Sequence, residues 1–257
     1  MKQVASLFLV VLLSLMLVGV DAAHATRRTS TLKVSKGGAV VSLLTGPVEV
    51  LPGGRKEWRF LKLRDALRGG DEVRTGAKAL LELSLPDSSS VRFAGSTHFK
   101  LIELSTGKAD EQKGVRVHVA LGRSWANVSK AVGVRKGGFE LSCDTAVAGV
   151  RGTVYRMNVH EDKSALVRVY DGEVYVKGGG ERITEAPKPM GAPRKISGPT
   201  KIEGPRKVGM QEWTVIIKSM QQIAIQSDGV AEAPRDFTEE EDKDPWVDWN
   251  RERDRSK

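Results

Sequence analysis

The chain has a single cysteine among its 257 residues, so no internal disulfide can form and stability has to come from packing. Cys143 shares one alternating apolar face with Phe139 and Leu141 and reads as a core position, because a catalytic thiol needs an exposed, electropositive niche and a base. Aromatics make up only 5% of the chain and there are 4 histidines. His98, His118 and His160 stand apart from one another, without the i, i+4 pairing of a zinc-binding helix. The acidic run Glu239 to Asp242 lacks the glycine and the spaced carboxylates of a calcium loop, and there is no G-x-S-x-G elbow. No catalytic residue, cofactor or metal is therefore expected, and the chain reads as a non-enzymatic protein. A hydrolytic acid and base assembled from distant carboxylates, such as Asp71 with Asp144, is the alternative that sequence leaves open.

Long hydrophobic runs are also missing, with one exception. Lys2 precedes an almost wholly apolar stretch from Val4 to Val20, and Ala23-His24-Ala25 follows it. Residues 1–25 thus read as a secretory signal peptide cut after Ala25, giving a mature chain from Thr26 that is periplasmic or secreted. The rival is a retained membrane anchor, for which the run is slightly short of the roughly 20 residues a span needs. The net charge is +9. An exported basic protein does not meet nucleic acid, so the expected partners are an envelope protein or an anionic polysaccharide, unless the charge serves solubility alone.

What the chain does have is short alternating segments. Val40 to Leu44, Val48 to Val50, Ala79 to Leu85, Val91 to Phe93, Phe99 to Leu104, Val115 to Leu121 and Trp125 to Val128 each read as strands. Leu63 to Leu67 reads as a possible helical turn, Gly69 to Gly76 as a loop, and Gly122 to Ser124 as a break between two strands. Strands every 8 to 12 residues or so, separated by glycine-rich turns, predict an all-β fold, an antiparallel sandwich or roll.

The most distinctive stretch is Asp144-Thr-Ala-Val-Ala-Gly-Val-Arg-Gly-Thr153. Gly149 and Gly152 bracket Val150-Arg151, and Thr153, Tyr155, Met157 and Val159 then share one face of a strand. Ala165, Val167 and Val169 form the next strand, and Asp171-Gly172 before Val174 and Val176 predicts a type I′ hairpin turn, completing a meander. Arg151 either pairs with Asp144 or another buried carboxylate, or faces a ligand.

Taken together, Gly70-Asp71-Glu-Val-Arg-Thr75, the strand-turn-strand from Ala79 to Phe93, Gly122-Arg-Ser-Trp125-Ala, Thr145 to Thr153 and Val169-Tyr-Asp-Gly172-Glu-Val-Tyr-Val176 resemble the FecR domain of periplasmic iron-signalling regulators and other exported bacterial proteins. The resemblance spans residues 37–178. It implies a β-domain in which Gly70, Asp71, Thr75, Trp125, Gly149, Val150, Arg151, Gly152, Thr153, Asp171 and Gly172 carry the family pattern as structural positions. Only Met1 to Gln3 precede the apolar run, so the sigma-regulating function of the membrane-bound regulators, which uses a cytosolic segment before their membrane helix, is not expected to transfer. A sensor in FecR-like signal transduction is accordingly the second expectation, behind a partner-binding envelope protein.

Residues 179–207 are rich in proline, glycine, lysine and arginine, a composition that predicts an extended linker. From 208 to 257 the expectation is a C-terminal segment with a helix. Trp213, Ile216, Ile217 and Met220 form an i, i+3, i+4, i+7 stripe, Ile223 and Ile225 suggest a short strand, and an acidic tail holds Trp246 and Trp249. Trp213, Trp246 and Trp249 are the candidate partner-binding residues, with docking on the chain's own domain as the competing use.

Overall fold

The computed structural model describes residues 38–85, 88–104, 114–129, 138–150, 152–178 and 213–256, all within one compact unit, Val34–Lys257. The expected signal peptide, the linker and Arg151 lie outside the described residues. In chain order the strands are β1 (Ala39–Thr45), β2 (Val48–Leu51), β3 (Arg59–Phe60), β4 (Ala66–Leu67), β5 (Glu72–Thr75), β6 (Leu80–Ser84), β7 (Ser90–Phe93), β8 (His98–Leu104) and β9 (Val115–Asn127). They continue as β10 (Phe139–Ser142), β11 (Ala146–Val150), β12 (Val154–Val159), β13 (Ala165–Asp171), β14 (Glu173–Gly178), β15 (Thr214–Lys218), β16 (Gln221–Ile225) and β17 (Arg235–Asp236). One helix, α1 (Pro245–Arg255), closes the chain.

These strands build two sheets. The first runs β4-β1-β6-β7-β9-β12-β13-β16-β17, and the second runs β3-β2-β5-β8-β9-β10-β11-β14-β15. Every pairing is antiparallel except β9 with β10. The fold is thus the expected all-β class, with the core between the sheets: Phe93 of the first stacks on Phe99 of the second at 3.6 Å, and Tyr155 reaches across to donate to the Ala148 carbonyl at 3.4 Å.

The strand β9 belongs to both sheets. Its first half pairs with β8 and β10, its second with β7 and β12. The expected break at Gly122 is instead a bend inside one continuous strand. Gly122 has φ +102°, and a Cβ there would sit 2.4 Å from Thr97 Oγ1 and 2.6 Å from Thr97 Cα, so only glycine permits the chain to turn this corner against β8.

The stretch around Asp144 to Val176 is likewise a folded ribbon rather than a meander. β11 pairs with β14 in the second sheet and β12 with β13 in the first, so one long hairpin crosses from sheet to sheet on both of its arms. Asp171-Gly172 is therefore not a hairpin turn, since β13 and β14 do not pair with each other. Gly152 (φ +62°) and Gly172 (φ +88°) are the two opposed corners, and a Cβ on Gly172 would meet Thr153 Oγ1 at 2.8 Å. Positive φ was legible in the Asp-Gly pair; the crossing that uses it was not.

Other local expectations change as well. The possible helical turn at Leu63 to Leu67 ends as β4, and Glu72–Thr75 of the expected loop is β5. The stripe of Trp213, Ile216, Ile217 and Met220 is not a helix: Thr214–Lys218 is β15, paired with β14, and Met220 lies in the turn to β16. Four β-branched residues in a row, Thr214 to Ile217, are stiff at χ1 and fit a pleated surface better than a helix. The helix falls instead on the acidic tail, where Asp244 caps it by accepting from Trp246 N at 2.8 Å and Pro245 opens it. The sandwich consequently does not end at residue 178, because residues 214–236 supply strands to both sheets.

Candidate binding surfaces

The first sheet's outer face carries a row of five polar side chains and one tryptophan that period-two alternation places opposite one another on six adjacent strands: Glu82, Arg92, Trp125, Arg156, Arg168 and Gln222. Alternation alone would leave such a row in water. Here it is buried beneath residues 237–256, and each cation meets a carboxylate. Arg92 pairs with Glu82 (2.6 Å) and with Asp254 of α1 (2.6 Å). Arg253 closes on Glu82 from above at 2.7 Å, and the Trp125 indole donates to Asp254 at 2.9 Å. Arg156 and Arg168 face each other across the β12–β13 pairing, a repulsive contact by itself, and Asp242 accepts from both as well as from the Tyr170 hydroxyl (2.6 Å).

Burial pulls the Arg156 guanidinium below its ordinary pKa, opposed by Tyr170 and Asp242, and burial pushes the Tyr170 phenol up. At the near end of the arm Arg123 forks onto Asp244 at 2.8 and 3.1 Å and lies 4.5 Å over the Trp246 ring. The hydrogen bond from Arg123 holds Asp244 below the usual carboxylate range. Trp246 is only 8% exposed, and Trp249 packs on the same cluster. These two tryptophans are thus committed to the chain's own domain.

The second sheet's outer face is different. A groove of about 620 Å³ runs over β10, β11, β14 and the start of β15. It brings together two of the residues singled out from sequence, Gly149 and Trp213, with Glu140, Tyr175, Lys177 and Thr214. Trp213 is fixed in place: its indole donates to the Gly229 carbonyl at 3.0 Å, its carbonyl accepts from Gly178 N at 3.0 Å, and the ring lies so close to Gly178 that a Cβ there would be 2.2 Å from Nε1. Tyr175 projects outward, 48% exposed.

The remaining sequence candidates have structural duties. Asp71 accepts from the backbone N–H of Gly53 and of Arg68, both at 2.9 Å. Thr75 donates to the Ala94 carbonyl at 2.7 Å and Thr153 to the Glu173 carbonyl at 3.0 Å. Gly70 takes φ +95° and Val150 is buried in β11. Asp144 pairs with His118 Nε2 (3.2 Å) and Lys163 (3.4 Å), while Ser142 contacts His118 Nδ1 at 3.4 Å. This Ser, His and Asp set was not visible in the sequence as a cluster; the parallel pairing of β9 with β10 assembles it. Ser142 is 8% exposed and also donates to the Val117 carbonyl at 3.4 Å, so its hydroxyl ties two strands together. The pairing of Asp71 with Asp144 as acid and base finds no support, since each carboxylate is engaged in its own neighbourhood.

The strands from β5 into β14, which include the crossing ribbon and most of the groove floor, coincide with a family match. Residues 71–175 match the FecR protein family. The FecR-type segment leaves out β1 to β4 and the C-terminal arm. Among solved structures, two crystal structures of a proposed anti-sigma factor from Parabacteroides distasonis are similar at 15% and 16% identity, each with a TM-score of 0.42. The similarity covers 64% of this chain and 59% of those chains. A search of curated proteins gives no match. Among the described residues no helix is long and apolar enough to cross a membrane.

Proposed function

We propose that this chain works by binding rather than by catalysis, as a FecR-type regulatory module that operates outside the cytoplasm and engages an envelope partner. The observation that carries the reading is the FecR match over residues 71–175, which spans strands of both sheets. It includes β10, β11 and the first half of β14, whose outer face carries no arm among the described residues, while the first sheet's outer face is closed by the chain's own arm. The expected signal peptide supports export, and the FecR match favours a role in signal transduction over a purely passive envelope component.

The test is capture from envelope extract with the intact chain. A Tyr175→Asp, Lys177→Glu variant, altered only at exposed positions of β14, loses the captured component, whereas an Arg55→Glu variant in the exposed turn after β2 retains it. Equal capture by both variants would sink the assignment of the binding face. Deleting residues 208–257 is not a usable test, because it removes strands from both sheets. Mass spectrometry of the exported chain should find Thr26 as its first residue; a retained apolar N-terminus would favour an anchored sensor instead.

A further inference from the structure

We infer that the groove on the second sheet is a saccharide-binding site that takes a short pyranose oligosaccharide. This deepens the binding function proposed above and rests on it. The argument begins at Gly149. Glycine in a strand interior weakens it and usually marks a special backbone conformation or a close approach. Gly149 shows neither within the protein: its φ is not positive, and a Cβ built on it would have as its nearest neighbour Glu140 Cγ at 3.8 Å, an ordinary contact. Its one structural effect is to leave the groove floor without a side chain between Glu140 and Tyr175, which flank it in the β10–β11 and β11–β14 registers.

Above that floor stand two aromatic surfaces, Trp213 held rigidly on Gly178 and Tyr175 held on a central strand. A fixed aromatic presents contact area at little entropic cost, and the C–H face of a pyranose ring is its natural counterpart. Glu140 and Lys177, whose side chains make no hydrogen bond or ion pair among the described residues, supply an acceptor and a donor for ring hydroxyls. The backbone of β10, β11 and β14 beneath is already spent in ladders on both sides, β15 being the edge strand. An extended peptide laid in this groove would find no main-chain partners, the source of affinity in strand addition; a ligand recognised by ring faces and hydroxyls loses nothing by that. The volume lies within the usual range for small-ligand sites.

The experiment is titration calorimetry of the intact chain with chitotetraose, cellotetraose and a tetragalacturonate. Binding of at least one tetramer at about millimolar Kd or tighter is expected. Gly149→Leu should fill the floor and weaken that binding by at least about tenfold, while its thermal midpoint stays at or above that of the parent, because a β-strand accepts leucine more readily than glycine. Tyr175→Ala should weaken it as well. Absence of binding by all three tetramers would overturn the proposal, as would binding unchanged in Gly149→Leu. If the tetramers fail but an envelope protein is captured and lost in the Tyr175→Asp, Lys177→Glu variant, the saccharide proposal falls and the binding function stands.

Discussion

Removing the carboxylate of Asp242 should be among the most damaging single changes outside the apolar core. Its side chain is 1% exposed and is shared by Arg156 and Arg168, themselves 7% and 11% exposed, with the Tyr170 hydroxyl as a third donor. In Asp242→Ala two guanidinium groups face each other across β12 and β13 with no compensating charge. Breaking a buried ion pair by deleting one partner costs about 3–5 kcal/mol, and an orphaned phenol adds roughly 1–3 kcal/mol if water does not reach it. The arm can relieve part of this by lifting away, so the expected loss is about 3–5 kcal/mol rather than the sum. Urea unfolding reads the loss as a lowered midpoint at constant slope, and limited trypsin digestion at Lys243 and Arg251 reads the lifted arm. A control separates charge from packing. In an Arg156→Met, Arg168→Met background the repulsive pair is gone, and Asp242→Ala should cost at least about 2 kcal/mol less than in the parent chain. A loss below about 1 kcal/mol in the parent, or an equal loss in both backgrounds, would refute the view that Asp242 neutralises the arginine pair.

Other perturbations probe the corners and the arm. Gly122→Ala should destabilise by roughly 2–6 kcal/mol, combining a left-handed backbone with a clash against Thr97, and a thermal midpoint within a degree or two of the parent would contradict that geometry. Gly152→Val should cost about 1–2 kcal/mol through its positive φ, and Gly152→Asn clearly less, since asparagine tolerates that region; equal costs would mean that packing rather than φ selects the glycine. Because Arg123 lowers the folded pKa of Asp244, that carboxylate contributes its full stabilisation above the ordinary value near about 4 and loses it as pH falls through the lower folded value. The protection of the first-turn amides of α1 against hydrogen exchange, corrected for the intrinsic rate at each pH, should therefore fall on acidification below that point in the parent but not in Asp244→Asn, and an identical response in both would remove Asp244 as the cause.

Much of the sandwich is legible in period-two alternation: Leu81, Leu83 and Leu85, then Val115, Val117 and Val119, then Tyr155, Met157 and Val159, all end in the core. What alternation cannot report is which sheet a strand joins. The same Asp-Gly signal that closes a hairpin in many proteins serves here to carry a ribbon across the sandwich, since positive φ is a local demand and pairing is not. The segment from Trp213 to Met220 satisfied a helical stripe by coincidence of spacing, although its β-branched run argued the other way. For the helix at 245–255 the cap was readable in Asp244-Pro245, with Arg253 and Arg255 favourably placed in the last turn; the scarcity of apolar residues hid it. Of the groove, Gly149 and Trp213 were each visible singly, but their meeting depends on the β11–β14–β15 registers.

The arginine row was the least legible feature, for a physical reason. Arg92, Arg156 and Arg168 each occupy the polar phase of an alternating strand, where solvent exposure is the default, and their partners in the tail lie 74 to 162 residues further along the chain. The acidic tail that neutralises them reads in isolation as a solvated run. Neither half makes sense alone: a face with three buried guanidinium groups would be unstable uncovered, and a tail with so few apolar residues has little to hold it except those charges. The first sheet therefore gains its covering layer through charge, with Trp125, Trp246 and Val247 as the small apolar centre. The second sheet keeps an outer face of Glu140, Tyr175 and Lys177 with no such arm over it among the described residues. That asymmetry is why a search for this chain's partners should start from β11 and β14 and not from the tryptophans of its tail.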